Sequence, residues 1–192
     1  MIYRLKSPED MHELVDLDVI DLAKLINDTD FKLIRRMFNS NESLQDRWVT
    51  PSCGVHPYFA ANPAPDISFW GNFLALNKKA FDALAPIIKH DGEFLPIRVE
   101  GHSLQFFNCT QLATEIPEQS LINYEDGFPN GLKSLVFDES DILGKAIFKS
   151  KLEGCNALFV TDEFKSLCEQ HTLTGLCFDK NLVNIFSVME YS

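Results

Sequence analysis

Two rhythms of apolar positions run along this chain. The first ~66 residues favour helical spacing. Ile2 to Leu5 reads as a short first strand. Over residues 17–38, Leu22, Leu25 and Ile26, and then Ile34, Met37 and Phe38, recur at helical intervals. Asn27-Asp28-Thr29-Asp30 interrupts that pattern with turn-forming side chains that also supply N-cap oxygens. Two short helices are expected, the second starting near Phe31. Asn39-Ser40-Asn41 reads as a loop and Trp48-Val49 as a strand. Residues 51–66 hold Pro51, Pro57, Pro63 and Pro65. Proline cannot donate to a ladder and restricts its preceding neighbour, so this stretch predicts a linker or a long functional loop.

Beyond it, strands and helices alternate. Residues 73–76 form a strand, Asn77 caps a helix, and Phe81, Leu84 and Ile88 share that helix's apolar face. Pro86 should kink or shorten the helix, and His90-Asp91-Gly92 should close it with Gly92 at positive φ. A strand over 94–99 turns at Glu100-Gly101-His102-Ser103 into a partner over 104–108. Residues 115–133, with Pro117, Gly127, Pro129 and Gly131 and few apolar side chains, read as a second loop. Short strands follow at 135–137 and 146–149. Residues 158–160 form another strand, Thr161 an N-cap, and Asp162 and Glu163 an acidic first turn that the helix dipole favours. Phe164, Leu167, Cys168 and His171 share one face of that helix, and Gly175 precedes a strand over 176–178. This unit echoes the one around Asn77. Two similar segments explain the echo better than a duplication, because the spacing differs and two copies are few for a repeat.

The fold class that follows is α+β: a mixed, mainly antiparallel sheet of short strands with packed helices. Residues 1–66 make an N-terminal helical region with its Pro-rich loop, and residues 67–192 the α+β region, within one compact unit.

Charge narrows the partners. The 28 acidic residues exceed the 17 basic ones, for a net charge of -11. That field repels phosphate backbones, so nucleic acid is not expected as a partner, whereas a basic partner would be drawn in. Solubility is the simpler explanation of the same charge. No run approaches the ~18 apolar residues of a membrane span. MIYRLKSPED contains no apolar leader, so no membrane association and a cytoplasmic location are expected. Five cysteines at irregular spacing do not form a disulfide framework. The 16 phenylalanines require a sizeable core.

Little here carries chemistry. Cys53 with His56, and Cys168 with His171, are two C-x2-H pairs that would form a zinc site if they met. They are over a hundred residues apart and Cys168 occupies an apolar helical position, which favours buried cysteines. Cys53 activated by His56, with Asp66 as a third group, would be a nucleophile. His12, His90 and His102 lie beside Glu13, Asp91 and Glu100, as solvated turn residues commonly do. No Walker, Rossmann, nucleophile-elbow or zincin motif occurs. No enzyme, cofactor or metal is therefore expected. A small Cys/His or metal enzyme and a structural adaptor are the alternatives to a binding protein. Tyr58, Phe59 and Trp70, flanking the Pro-rich loop, are candidate binding aromatics. Trp70 serves equally as an anchor of that loop on the core.

Residues 67–182 resemble a known family. The matching pieces are Phe69-Trp70-Gly71, Phe94-Leu95-Pro96-Ile97, Phe107-Asn108, Leu135-Val136-Phe137-Asp138, Ile147-Phe148-Lys149, Leu158-Phe159-Val160-Thr161 with Phe164 and Leu167, and Thr174-Gly175-Leu176-Cys177-Phe178. In order and spacing these are similar to a bacterial family of immunity proteins of polymorphic toxin systems, the eleventh such class. The resemblance implies a protein that binds and neutralises a cognate toxin, and it supplies no catalytic residues. Aromatic anchors Tyr58, Phe59 and Trp70, with Glu125, Asp126, Asp138, Glu139 and Asp141 steering a basic toxin, are the expected partner-binding set. A homodimer stays open.

Overall fold

The computed structural model describes residues 1–184. Residues 185–192, the end of the expected α+β region, lie outside it. The fold is α+β, with mixed, mainly antiparallel sheets.

In chain order the elements are β1 (Ile2–Lys6), β2 (Val15–Asp16), α1 (Val19–Leu25), α2 (Lys32–Arg36), β3 (Ser52–Val55), β4 (Ile67–Trp70), β5 (Phe73–Leu76), α3 (Lys78–Ile88), β6 (Gly92–Val99), β7 (His102–Cys109), β8 (Leu112–Ala113), β9 (Leu121–Glu125), β10 (Phe128–Ser134), β11 (Ile147–Ser150), β12 (Phe159–Thr161), α4 (Asp162–Gln170) and β13 (Cys177–Asp179). One sheet runs β2-β3-β6-β7-β5-β4, a second runs β13-β1-β12-β11-β8, and β9 and β10 form a separate pair. Among the described residues only β3 with β6 and β8 with β11 pair in parallel.

The two short N-terminal helices form as their spacing predicts. Asp18 caps α1, accepting from the Ile20 and Asp21 amides. Asp28 accepts from the Ile34 amide of α2 and thereby fixes the turn between the helices. The Pro-rich stretch is not a linker. Pro51 sits just ahead of β3, where a missing N–H costs nothing, and its carbonyl accepts the Arg98 amide. Trp48 is not in a strand: its indole N–H donates to the Pro96 carbonyl while its ring edge meets Phe106. The first 66 residues thus place strands in both sheets.

Two further corrections concern α3 and the strand after it. α3 continues through Pro86 to Ile88. Gly92 is not a positive-φ cap. It opens β6, where an added Cβ would lie 2.2 Å from the Asn108 carbonyl oxygen, so close backbone approach requires the glycine.

Among the described residues three clusters make the core. The outer face of the larger sheet (Trp70, Phe73, Leu95, Phe106) lies under Leu22, Leu33 and Met37 of the N-terminal helical segment. The inner faces of both sheets share a middle cluster with α3 and α4, through Leu74, Phe107, Leu84, Val160, Phe164 and Cys168. Phe137, Phe148 and Phe159 build the third, on the far side of the smaller sheet. The segment joining α2 to β3 is held by buried polar groups. Lys149 donates to the Ser40 carbonyl, and Glu93 accepts from Ser43 Oγ and the Leu44 amide.

The echo in the sequence has a structural counterpart. β5 and β6 are separated by the antiparallel β7, with α3 between them in sequence. β12 and β13 are separated by the antiparallel β1, with α4 between them. β4 flanks β5 as β11 flanks β12. The backbone contacts at the helix starts match as well, Asn77 N donating to the Asp66 carbonyl and Thr161 N to that of Ala146, but Asn77 caps its helix through Oδ1 whereas the Thr161 side chain makes no capping bond. The turn after α4 reaches the start of β4, where Ile67 N donates to the Thr174 carbonyl, and the turn after α3 reaches the start of β11, where Ile147 N donates to Asp91 Oδ2. The two units have one spatial plan, with a middle strand that comes from a different part of the chain in each.

Candidate partner-binding surface

The residues proposed from the sequence fall into three places. Trp70 is a core residue, 3% exposed, stacked on Phe106 at 4.9 Å with its indole N–H donating to the Leu17 carbonyl. It presents no surface, because β4 turns it under the N-terminal helices. Phe59 is half-buried against the same cluster. Tyr58 is exposed beside it on a 3-10 turn, Pro57–Ala60, within 4.8 Å of the His12 ring, which stacks in turn on His56.

Asp138, Glu139 and Asp141 lie on one turn, but two of the three carboxylates serve the fold. The Ser140 hydroxyl and amide hold Asp138 below the usual carboxylate range. Lys145, with the Thr114 amide, does the same for Asp141. Glu139 is exposed.

Glu125 and Asp126 sit differently. The stretch read as a loop contains the β9–β10 hairpin, and these residues are at its tip. Asp126 and Gly127 have φ of 50° and 84°, the two left-handed residues of a type I′ turn. Asp-Gly between apolar residues was the available signal, masked by Pro129 and Gly131. Every residue from 121 to 130 is exposed. Tyr124 is 60% and Phe128 74% exposed, and Leu121 and Ile122 are also uncovered. A two-stranded hairpin is marginal in water by itself. This one is fastened at its base, where Leu132 packs on the third core cluster, Ser134 Oγ donates to the Gln119 carbonyl, and Ser120 Oγ donates to that of Val136. It therefore holds two aromatic rings and two carboxylates in water on a tethered support. Leu121 and Phe128 lie on one face of the hairpin and Ile122 and Tyr124 on the other, so each face carries exposed apolar side chains, and such exposure marks interaction sites.

The chemical candidates are not assembled. Burial and the Asp16 carboxylate push the Cys53 thiol up to about 11, which leaves it protonated at neutral pH. His56 Nδ1 accepts from the Tyr58 amide, and Asp66 is fastened to Asn77, Lys79 and Thr174. Cys168 is buried in the middle cluster. Among the described residues no group of three or more His, Cys, Asp or Glu side chains is placed to hold a metal ion. Asp91 is buried, accepting from the Ala146 and Ile147 amides. Among the described residues no helix is long and apolar enough to cross a membrane.

Among known proteins, no family model matches this chain and no curated protein matches it.

Proposed function

We propose that this chain is an immunity-type binding protein of the bacterial cytoplasm that captures and neutralises a cognate toxin, with the β9–β10 hairpin as its principal contact surface. One observation carries the surface: Tyr124 and Phe128 stand in solvent beside Glu125 and Asp126 at the tip of a hairpin whose base is packed. Aromatic anchors beside acidic groups suit a basic protein partner, and the net charge of -11 would speed its approach. The resemblance over residues 67–182 supports the toxin as that partner.

The test is comparative purification from the producing bacterium. Tagged wild-type chain and a Tyr124→Ala/Phe128→Ala double variant are isolated at moderate salt, and bound proteins are quantified by mass spectrometry. A basic protein retained by the wild type at near-equal amounts, retained at least tenfold less by the variant, and toxic when expressed without this chain is the expected result. Equal retention by both would remove the hairpin from the interface. A partner whose expression harms nothing would remove the immunity role.

A further inference from the structure

Among the described residues, β9 and β10 pair only with each other, so the hairpin has two outer edges. Those edges differ. The type I′ turn makes Glu125 and Phe128 the closing hydrogen-bonded pair. The next pair in register, Tyr124 opposite Pro129, is then non-hydrogen-bonded, with both backbones turned outward. On β10 the outward residue is a proline without an N–H. A register irregularity follows between Pro129 and Leu132, and then Lys133. Proline, irregular register and lysine are devices by which sheet edges refuse another strand. On β9 the Tyr124 N–H and C=O are intact, and Leu121-Ile122-Asn123-Tyr124-Glu125 contains neither proline nor lysine. One edge is blunted and the other is open.

We propose that the open edge of β9 receives a basic, extended strand of the partner, so that recognition proceeds by β-strand addition. This rests on the protein-binding reading above and specifies its geometry. Main-chain hydrogen bonds at Tyr124 would supply register, and the alternation of side chains along β9 would supply selectivity. Leu121, Asn123 and Glu125 project to one face, Ile122 and Tyr124 to the other. An incoming strand that alternates apolar and basic residues meets apolar side chains along β9 and the Glu125 and Asp126 carboxylates at its end. A second copy of this chain would instead bring another -11 of charge.

The probe is a seven-residue peptide of alternating valine and lysine, titrated into the full chain by fluorescence anisotropy and by amide NMR. Two control peptides accompany it, one with three consecutive central amides N-methylated, which blocks both of its edges, and one with glutamate in place of lysine. Saturable binding is expected, with amide shifts centred on residues 121–125 and hydrogen exchange at Tyr124 slowed at least tenfold. Both control peptides should bind at least tenfold more weakly. Tyr124→Pro, which deletes the outward N–H, should weaken binding at least tenfold, and Tyr124→Ala less than threefold. The N-methylated peptide gives the same information if the proline variant does not fold. Equal binding of the N-methylated peptide overturns strand addition while leaving the protein-binding reading intact. So does failure of every peptide to bind, because retention of the cellular partner by the double alanine variant judges that reading separately. Sedimentation showing a dimer that Tyr124→Pro dissociates would overturn the basic strand in favour of self-pairing.

Discussion

Asp66 and Thr174, 108 residues apart, clasp each other: the Asp66 amide donates to Thr174 Oγ1, and the Thr174 amide and hydroxyl donate to Asp66 Oδ2. The clasp joins the start of β4 to the turn after α4, and so ties one strand-helix-strand unit to the other. Burial raises the Asp66 carboxyl, but hydrogen bonds from Asn77, Lys79 and Thr174 outweigh it and hold the group below its usual range. A carboxyl depressed by folding contributes stability above its unfolded value, ~3.9, and loses that contribution as pH falls through the folded value. Asp66→Asn is therefore expected to cost about 1–3 kcal/mol at pH 7. The gap to wild type should narrow in urea melts below about pH 4. Asp91, raised by burial, contributes with the opposite sign. Its share is greatest at low pH and is lost as pH rises through its folded value, so acid melts of Asp91→Asn should not show the same narrowing.

Trp70 and the hairpin aromatics should separate stability from binding. Trp70→Ala empties a site between Phe106, Phe73 and Phe38 and is expected to cost about 3–5 kcal/mol by chemical denaturation. Tyr124→Ala and Phe128→Ala should change stability by less than about 0.5 kcal/mol, since neither ring is buried. A large loss at Phe128 would mean that the ring packs somewhere in solution.

Two glycines make a matched pair. Gly92→Ala drives a Cβ against the Asn108 carbonyl at 2.2 Å, a backbone atom that has no rotamer by which to yield. At least ~3 kcal/mol of destabilisation is expected, of the size that overpacking reaches. At Gly54 in β3 no atom lies within 4 Å of an added Cβ. Gly54→Ala should be neutral or raise stability by about 0.4–1 kcal/mol through the unfolded state. Thermal melts of the two variants decide both points.

Cys53 should be a slow thiol. With its ionisation pushed up to about 11, under about one part in a thousand is thiolate at pH 7.5. Iodoacetamide labelling followed by peptide mapping should give a native-state rate at least tenfold below that of the urea-unfolded chain. A faster native rate would restore the nucleophile reading.

Local signals did well where each element's own residues decide its conformation. Asn77 accepts the Ala80 amide as a cap should, the hairpin expected around Gly101 forms with a tighter turn at Glu100-Gly101 and with His102 and Ser103 already in β7, and Asn27 to Asp30 separates two short helices. For Trp70 the sequence leaves surface and core both open, because the face of an edge strand depends on what covers it, and the covering helices come from elsewhere in the chain. The hairpin was missed because Pro129 and Gly131 count against a strand in isolation. They are tolerated at an outward edge position and at a register irregularity.

The sequence by itself determined the α+β class, helices α1 to α4 and the Asn77 cap, since propensity and periodicity act over a few residues. Tertiary structure decided what lies across the chain. Long-range pairing set β1 between β12 and β13 and made one plan of two units. It also took Trp70 and Cys168 into the core and left Tyr124 and Phe128 in water, because burial is a property of the neighbours that the fold supplies.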